Sequence, residues 1–304
     1  MRENLKDKKR IVFKVGSSTL THKETGALDL VKMEKFVRIL TDLHNQGKEI
    51  VVVSSGAILV GRKALGNMER PTERSVKQAC AAVGQCRLMT VYQKLFSEYN
   101  QNTAQILMTK ITIANDISRH NAQNTFRELL NLGVIPIVNE NDALAVDEIK
   151  VGDNDTLAAL IVPVVEADML ILVSDIDGLY TANPHVDKDA QLIKFVDYVD
   201  DDIRHMAGDT SSGLGTGGMA TKIRAAKIVN DYGSHLVIVN GQQENSILHI
   251  FDEHESGTWF NGKSGVNMNA KVHWLTYRTS SKGCIVVDEG AAEALQVHRK
   301  SLLP

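Results

Sequence analysis

Six short apolar runs, rich in β-branched residues, recur down the chain: Ile11–Val15, Ile50–Val53, Ala104–Met108, Val134–Val138, Met169–Val173 and Leu236–Val239. A strand exposed on one face alternates apolar and polar residues; near-continuous apolar runs belong to strands covered on both faces. Helical patterns lie between them. Leu30, Met33, Phe36, Val37, Leu40 and Leu43 return at steps of three and four and form one stripe. Gly47 then closes that helix, as a C-terminal glycine commonly does. Alternation of this kind predicts a doubly wound α/β fold with a mainly parallel sheet.

The 304 residues are 43% hydrophobic and 23% charged, enough apolar material for a sizeable core. Lys and Arg number 34 against 37 Asp and Glu, a net charge of −3. A chain so near neutrality has no global electrostatic reason to hold nucleic acid or an anionic membrane. Cys80, Cys86 and Cys284 lack zinc-site spacing and are expected to be reduced thiols packed as small apolar groups. The longest apolar stretch, Leu157–Val165, falls short of the roughly 20 residues of a spanning helix. The N-terminal apolar run is too short for a signal peptide, so a cytoplasmic protein is expected. The texture changes from Ser256 onward, and a boundary is expected near residue 262. That gives one domain over 1–262, a linker over 263–281 and a short segment over 282–304. In the last segment, strand-like Cys284–Val287 precedes a helical Ala291–Leu295.

Parallel sheets bind ligands in the crevice beyond the C-terminal ends of their strands. The residues that directly follow the apolar runs are therefore the informative ones. They are Gly16-Ser17-Ser18, Ser54-Ser55-Gly56-Ala57, Asn139-Glu140-Asn141-Asp142 and Ser174-Asp175. Lys14 lies inside the first run, where a lysine is costly unless paired or at a sheet edge. Ser212–Lys222 is glycine-rich and leads into a helix that begins near Met219. It contains a formal G-x-G-x-x-G, but a dinucleotide fingerprint should follow a strand directly, and this one follows a polar, acidic stretch. Lys222 falls in the first turn of that helix. The helix dipole disfavours a cation there, which points to a nearby phosphate. Asp153-Asn154-Asp155 precedes another helix; one of the three suffices for the N-cap, leaving two unexplained. No histidine-centred or metal-ligating constellation is present, so no protein metal site is expected.

Taken in order, Lys14–Ser18, Val53–Ala57, Asn139–Asp142, Lys150–Asp155, Ser174-Asp175 with Gly178-Leu179-Tyr180, and Gly213–Lys222 resemble the glutamate 5-kinases of the amino acid kinase superfamily. The resemblance spans roughly residues 10–260. It implies transfer of phosphate from ATP, with Mg2+, to the side-chain carboxylate of L-glutamate, the first step of proline biosynthesis. By the same resemblance Lys14 and Lys222 neutralise the transferring phosphoryl group and Asp155 holds both. Ser55, Asp142 and Asn154 bind glutamate. Lys14, Ser174, Asp175 and the run Thr216, Gly217, Gly218, Met219, Ala220, Thr221 and Lys222 line the nucleotide site. The family commonly has Thr where this chain has Ser174. The tail from about Lys282 resembles the opening of a PUA domain, and the superfamily implies a homo-oligomer, dimer or tetramer. A sister kinase acting on N-acetylglutamate, aspartate or a nucleotide is the nearest alternative; an RNA-binding regulatory protein is a remoter one.

Overall fold

The computed structural model describes residues 5–22, 24–66, 69, 71–145, 153–184, 186–206, 218–243, 245–252, 256–262 and 287–296. The first half runs β1 (Arg10–Val15), α1 (Ser17–Leu20), α2 (Leu30–Asn45), β2 (Glu49–Ser54), α3 (Ala57–Ala64), α4 (Arg74–Ser97), β3 (Thr103–Met108), α5 (Lys110–Ala114), α6 (Asp116–Asn131) and β4 (Ile135–Glu140). The second runs α7 (Asn154–Val165), β5 (Met169–Ser174), β6 (Leu179–Tyr180), β7 (Leu192–Ile193), β8 (Phe195–Val196), α8 (Asp201–Met206), α9 (Met219–Tyr232), β9 (His235–Asn240), β10 (Thr258–Phe260) and α10 (Glu289–Gln296). All six expected strands are present, each within a residue or two of its apolar run.

Eight strands form one sheet in the order β3-β4-β2-β1-β5-β9-β10-β8. Pairing is parallel throughout except between β9 and β10. β6 and β7 make a separate antiparallel ribbon. From β1 the chain goes to β2 on one side and later to β5 on the other, so β1 marks the point where strand order reverses. The crevice beyond its C-terminal end is where such a sheet takes ligands.

Side-chain alternation along β1 divides the core into two layers. Ile11, Phe13 and Val15 face α2 and α4, packing with Phe36, Leu40, Leu88 and Tyr92. Val12 faces α7 and α9, packing with Leu157, Ile161, Ala225 and Val229. Lys14, two residues beyond Val12, shares the α7–α9 face and stands at the C-terminal end of that strand.

The structure corrects several expectations. β1 is central, so Lys14 is not a lysine escaping from a sheet edge. β3 is an edge strand and only partly buried, with Gln105 exposed, so not every run is covered on both faces. Helix α2 stops at Asn45, and Gly47 supplies the left-handed residue (φ 89°) two places later. Helix α7 begins at Asn154, three residues before its apolar stretch, because Asp153 caps it. Cys80 is buried as expected, but Cys86 is exposed on α4. β10 pairs with β9 and carries the main sheet to Phe260, inside the expected 1–262 unit. The helix expected at 291–295 spans Glu289–Gln296. Cys284–Ile285–Val286, the linker 263–281 and most of the PUA-like segment lie outside the described residues. Among the described residues no helix is long and apolar enough to cross a membrane.

Candidate active site

Three consecutive residues at the start of α7 point three ways. Asp153 is the N-cap: its carboxylate accepts from the Thr156 backbone N–H at 2.7 Å and from the Thr156 hydroxyl at 2.9 Å. Asn154 reaches toward β2 and β4. Asp155 turns under the sheet toward β1 and α9. The polar triplet is thus divided between one structural duty and two contacts with other elements.

Asp155 is 1% exposed, and its two partners, Lys14 and Lys222, are 8% and 5% exposed. The Lys14 Nζ lies 2.7 Å from Asp155 Oδ1, and the Lys222 Nζ lies 3.2 Å from Oδ2. Lys14 thus pairs with Oδ1 and Lys222 with Oδ2, one lysine to each carboxylate oxygen. The Thr221 hydroxyl donates to Oδ2 at 3.0 Å. Burial pushes the Asp155 pKa up, and the two ammonium groups more than offset that, holding the carboxyl below the ordinary aspartate value. The first turn of a helix is also a favourable place for a carboxylate. Asp155 gives Lys222 a counter-charge, so a lysine in the first turn of α9 does not by itself require a phosphate. The charge of the trio still favours an anion: two ammonium groups and one carboxylate sum to +1.

Lys14 and Lys222 stand 208 positions apart in the sequence. They meet because β1 and the starts of α7 and α9 share one end of the sheet's lower layer. The turn after β1 lies beside the Lys14 ammonium: a Cβ on Gly16 would sit 3.6 Å from it, an ordinary contact. It is a neighbour of the turn after β2, where a Cβ on Gly56 would lie 3.6 Å from that of Ser17. Gly56 adopts φ 96°, a left-handed conformation that glycine takes without strain, and so turns the chain directly from β2 into α3.

A second, uncharged cluster adjoins the first. The Asn154 Nδ2 lies 2.7 Å from the Ser54 carbonyl, 2.8 Å from the Ser55 Oγ and 3.1 Å from the Asn139 Oδ1, three oxygens that share its two hydrogens. Asn139, at the end of β4, donates through Nδ2 to the Gln85 Oε1 of α4 at 2.9 Å. Ser54 shares a hydrogen bond with the buried Tyr92 hydroxyl at 2.9 Å. Asp142 is half-buried in the turn after β4, three residues beyond Asn139. Helix α4 can reach this cluster because it crosses α3 glycine against glycine. A Cβ on Gly84 would sit 1.7 Å from the Ala57 carbonyl oxygen, and one on Gly61 would sit 1.8 Å from that of Cys80.

Of the residues singled out in the sequence, Lys14, Lys222 and Asp155 meet directly, as do Ser55 and Asn154. Asp142 and Ser174 lie at the same C-terminal edge of the sheet, after β4 and at the end of β5. Ser174 is buried and its hydroxyl donates to the exposed Asp175 at 3.3 Å. Gly218, Met219, Ala220 and Thr221 form the N-cap and first turn of α9. Thr216 and Gly217 lie outside the described residues. Asn139 belongs to the Asn139–Asp142 run expected at the sheet edge but had no role of its own assigned; Gln85 and the Gly61–Gly84 crossing were not singled out. The one signal for the crossing was two glycines inside helical segments, which cost stability unless packing requires them.

The amino acid kinase family model matches residues 9–240. A glutamate 5-kinase of Carboxydothermus hydrogenoformans is 48% identical over 304 residues, covering 100% of this chain and 81% of the relative. One of Clostridium tetani is 52% identical over 260 residues, 86% of this chain and 97% of the relative. The chain belongs to the glutamate 5-kinase family. Solved structures agree on the fold of this family member. The carbamate kinase of Giardia lamblia bound to AMP-PNP has TM-score 0.60 at 18% identity, covering 85% of this chain and 100% of that one. A UMP kinase of Bacillus anthracis has TM-score 0.57 at 14% identity, covering 84% and 97%. In this glutamate 5-kinase family chain, both clusters hang on adjacent residues of α7. Asn154 ties the uncharged one and Asp155 the charged one.

Proposed function

We propose that this protein catalyses attack of the L-glutamate side-chain carboxylate on the γ-phosphorus of ATP. A bond forms from the carboxylate oxygen to phosphorus as the bond to the β–γ bridging oxygen breaks. The electron pair leaves with ADP, and the product is L-glutamyl 5-phosphate. The nucleophile has a solution pKa of about 4.3 and is already ionised at neutral pH. No general base is needed. The obstacle is repulsion between an anionic attacker and an anionic triphosphate, which positioned cations relieve.

The observation that carries the reading is the carboxylate of Asp155 between the ammonium groups of Lys14 and Lys222. Held by one buried anion, the two amines keep fixed positions and undergo little reorganisation when charge develops on the phosphoryl group. Ser55 and Asn154 are the residues assigned to glutamate, and their contact with each other next to the charged trio supports this. Asp142 suits the substrate's α-ammonium. Ser174, Asp175 and the run Thr216–Lys222 are assigned to the nucleotide. Among the described residues, no group of three or more His, Cys, Asp or Glu converges as a metal cage. Magnesium bound to a nucleotide needs few protein ligands, because phosphate oxygens and water complete its shell. The residues therefore fit an ion that arrives with ATP and neutralises phosphate charge. A homo-oligomer in the cytoplasm belongs to the same reading; the exposed Ile111 of α5 and Ile117 of α6 support the assembly.

The test is incubation with ATP, Mg2+, L-glutamate and hydroxylamine, which traps the acyl phosphate as a hydroxamate. Glutamate-dependent hydroxamate is expected. Folded protein that yields none, or that yields more with aspartate or N-acetylglutamate, contradicts the substrate assignment.

A further inference from the structure

The pleat of the sheet puts a third polar group on the face that carries the charged trio. Leu172 of β5 pairs with Lys14 on one side and with Ile238 of β9 on the other. Two residues further on, Ser174 and Asn240 are partners in the same ladder, so both share the α7–α9 face with Lys14. The Asn240 Oδ1 accepts from the Gln242 backbone N–H at 2.9 Å, which fixes the amide with its nitrogen toward Asp177. The Asn240 Nδ2 donates to the Asp177 Oδ1 at 2.7 Å, and the Gln243 Nε2 donates to the same oxygen at 2.8 Å. The Tyr180 hydroxyl donates to Oδ2 at 3.0 Å. Three neutral donors thus hold the Asp177 carboxylate, and two of them come from the end of β9 and the turn that follows it.

We infer that Asp177 is a positioning residue of the nucleotide site: it ties the turn after β5 to the turn after β9, so that Asp175 keeps its carboxylate on the crevice. This rests on the assignment of Asp175 to the nucleotide made above. Other groups hold the two ends of the β5 turn. At one end the Gly241 N–H donates to the Ser174 carbonyl at 2.9 Å. At the other, a Cβ on Gly178 would fall 2.4 Å from the Thr258 Oγ1, which accepts from the Leu179 N–H at 2.8 Å and donates to the Ile193 carbonyl at 2.6 Å. Between the ends, Ile176 packs on the core and Asp177 supplies the polar tie. Asp175 is exposed and the Ser174 hydroxyl reaches it at 3.3 Å, so its direction follows the backbone of the turn. With its oxygens engaged by three protein donors, Asp177 is not itself the ligand. Asp175 is the carboxylate of the pair with lone pairs to accept from hydroxyl or amino groups of the nucleotide. Gln243 is exposed and Tyr180 and Asn240 are half-buried, so water replaces a lost acceptor and the tie carries little of the overall stability.

Steady-state kinetics in the hydroxamate assay test the inference with Asp177→Ala, Asp177→Asn, Asp175→Ala and the double variant of D175A with D177A. D177A is expected to raise KM for ATP about tenfold, with kcat within about threefold and KM for glutamate within about twofold of the wild type. D177N keeps an oxygen for Asn240 and Gln243 and turns its amide to the Tyr180 hydroxyl, so its KM for ATP is expected to stay within about twofold. The double variant is expected to lie within about twofold of D175A alone, because Asp177 acts through Asp175. A D177A enzyme that melts lower yet keeps its KM for ATP, a D177N enzyme as impaired as D177A, or effects that multiply in the double variant overturns the inference. If D177A does not fold, Asn240→Ala combined with Gln243→Ala removes both donors on the β9 side and leaves Asp177 in place. KM for ATP is then expected to rise about tenfold, and an unchanged value overturns the inference. A D175A enzyme with an unchanged KM for ATP would instead defeat the assignment of Asp175 to the nucleotide, and the two failures are thereby told apart.

Discussion

Asp155→Asn keeps the shape of the side chain and removes the negative charge shared by Lys14 and Lys222. Both lysines are buried, at 2.7 Å and 3.2 Å from the carboxylate. Breaking a buried ion pair by deleting one partner costs about 3–5 kcal/mol, because a charge stays behind unpaired. Unfolding entropy near 2.1 cal/mol/K per residue over 304 residues gives about 0.6 kcal/mol/K. The expected fall in Tm at pH 7 is therefore roughly 5–8 °C, read from a circular-dichroism melt. The pH dependence has a definite sign. The folded-state pKa of Asp155 lies below its ordinary value, with burial acting upward and the two lysines acting downward more strongly. Its ionisation then stabilises the fold above the unfolded pKa of about 3.9, and the contribution is lost as pH falls through the lowered folded value. The gap in Tm between the wild type and D155N should close over that acid range. Turnover at pH 7 should fall about 100-fold or more, since the lysines lose the anion that places them. A variant that melts within about 1 °C of the wild type at pH 7, with ordinary turnover, would refute the claim that Asp155 holds the two amines.

Other perturbations separate the parts of the site. Lys222→Ala should lower kcat about 100- to 1,000-fold and leave KM for glutamate near the wild-type value, as expected of a contact made chiefly in the transition state; initial-rate kinetics decide this. Asp142→Ala should raise KM for glutamate about tenfold or more while KM for ATP stays within about twofold, measured in the same assay. Gly84→Ala places a methyl group 1.7 Å from the Ala57 carbonyl. It must push α3 from α4 and should destabilise the protein by about 1–3 kcal/mol, with a raised KM for glutamate, seen by chemical denaturation and kinetics.

The central sheet is legible in the sequence because burial on both faces demands apolar runs. β1, β2, β4, β5 and β9 stand out for that reason, and β3, at the edge, is the weakest of the six. The strands of two or three residues, β6, β7, β8 and β10, carry no period, and their pairing comes from the tertiary fold. Lys14 and Lys222 are legible because each breaks a local rule, one as a charge in an apolar strand and the other as a cation at a helix start. Such violations mark functional sites more often than accidents. Asp153-Asn154-Asp155 is legible as an excess over capping, though not as three separate directions. Gln85 is hidden because it sits on α4, a 24-residue helix with polar residues throughout. Its contact is with Asn139, 54 positions away, across a helix crossing that the two glycines permit. No spacing rule within one helix can show that.

The most direct test of the two-amine arrangement is a crystal structure with ADP, glutamate, magnesium and a planar fluoride mimic of the transferring phosphoryl group. The Lys14 and Lys222 Nζ atoms are expected within about 3.2 Å of the mimic's equatorial ligands, with Asp155 still between them. A mimic that lies against neither amine, or against one while the other faces a different cleft, would contradict that arrangement.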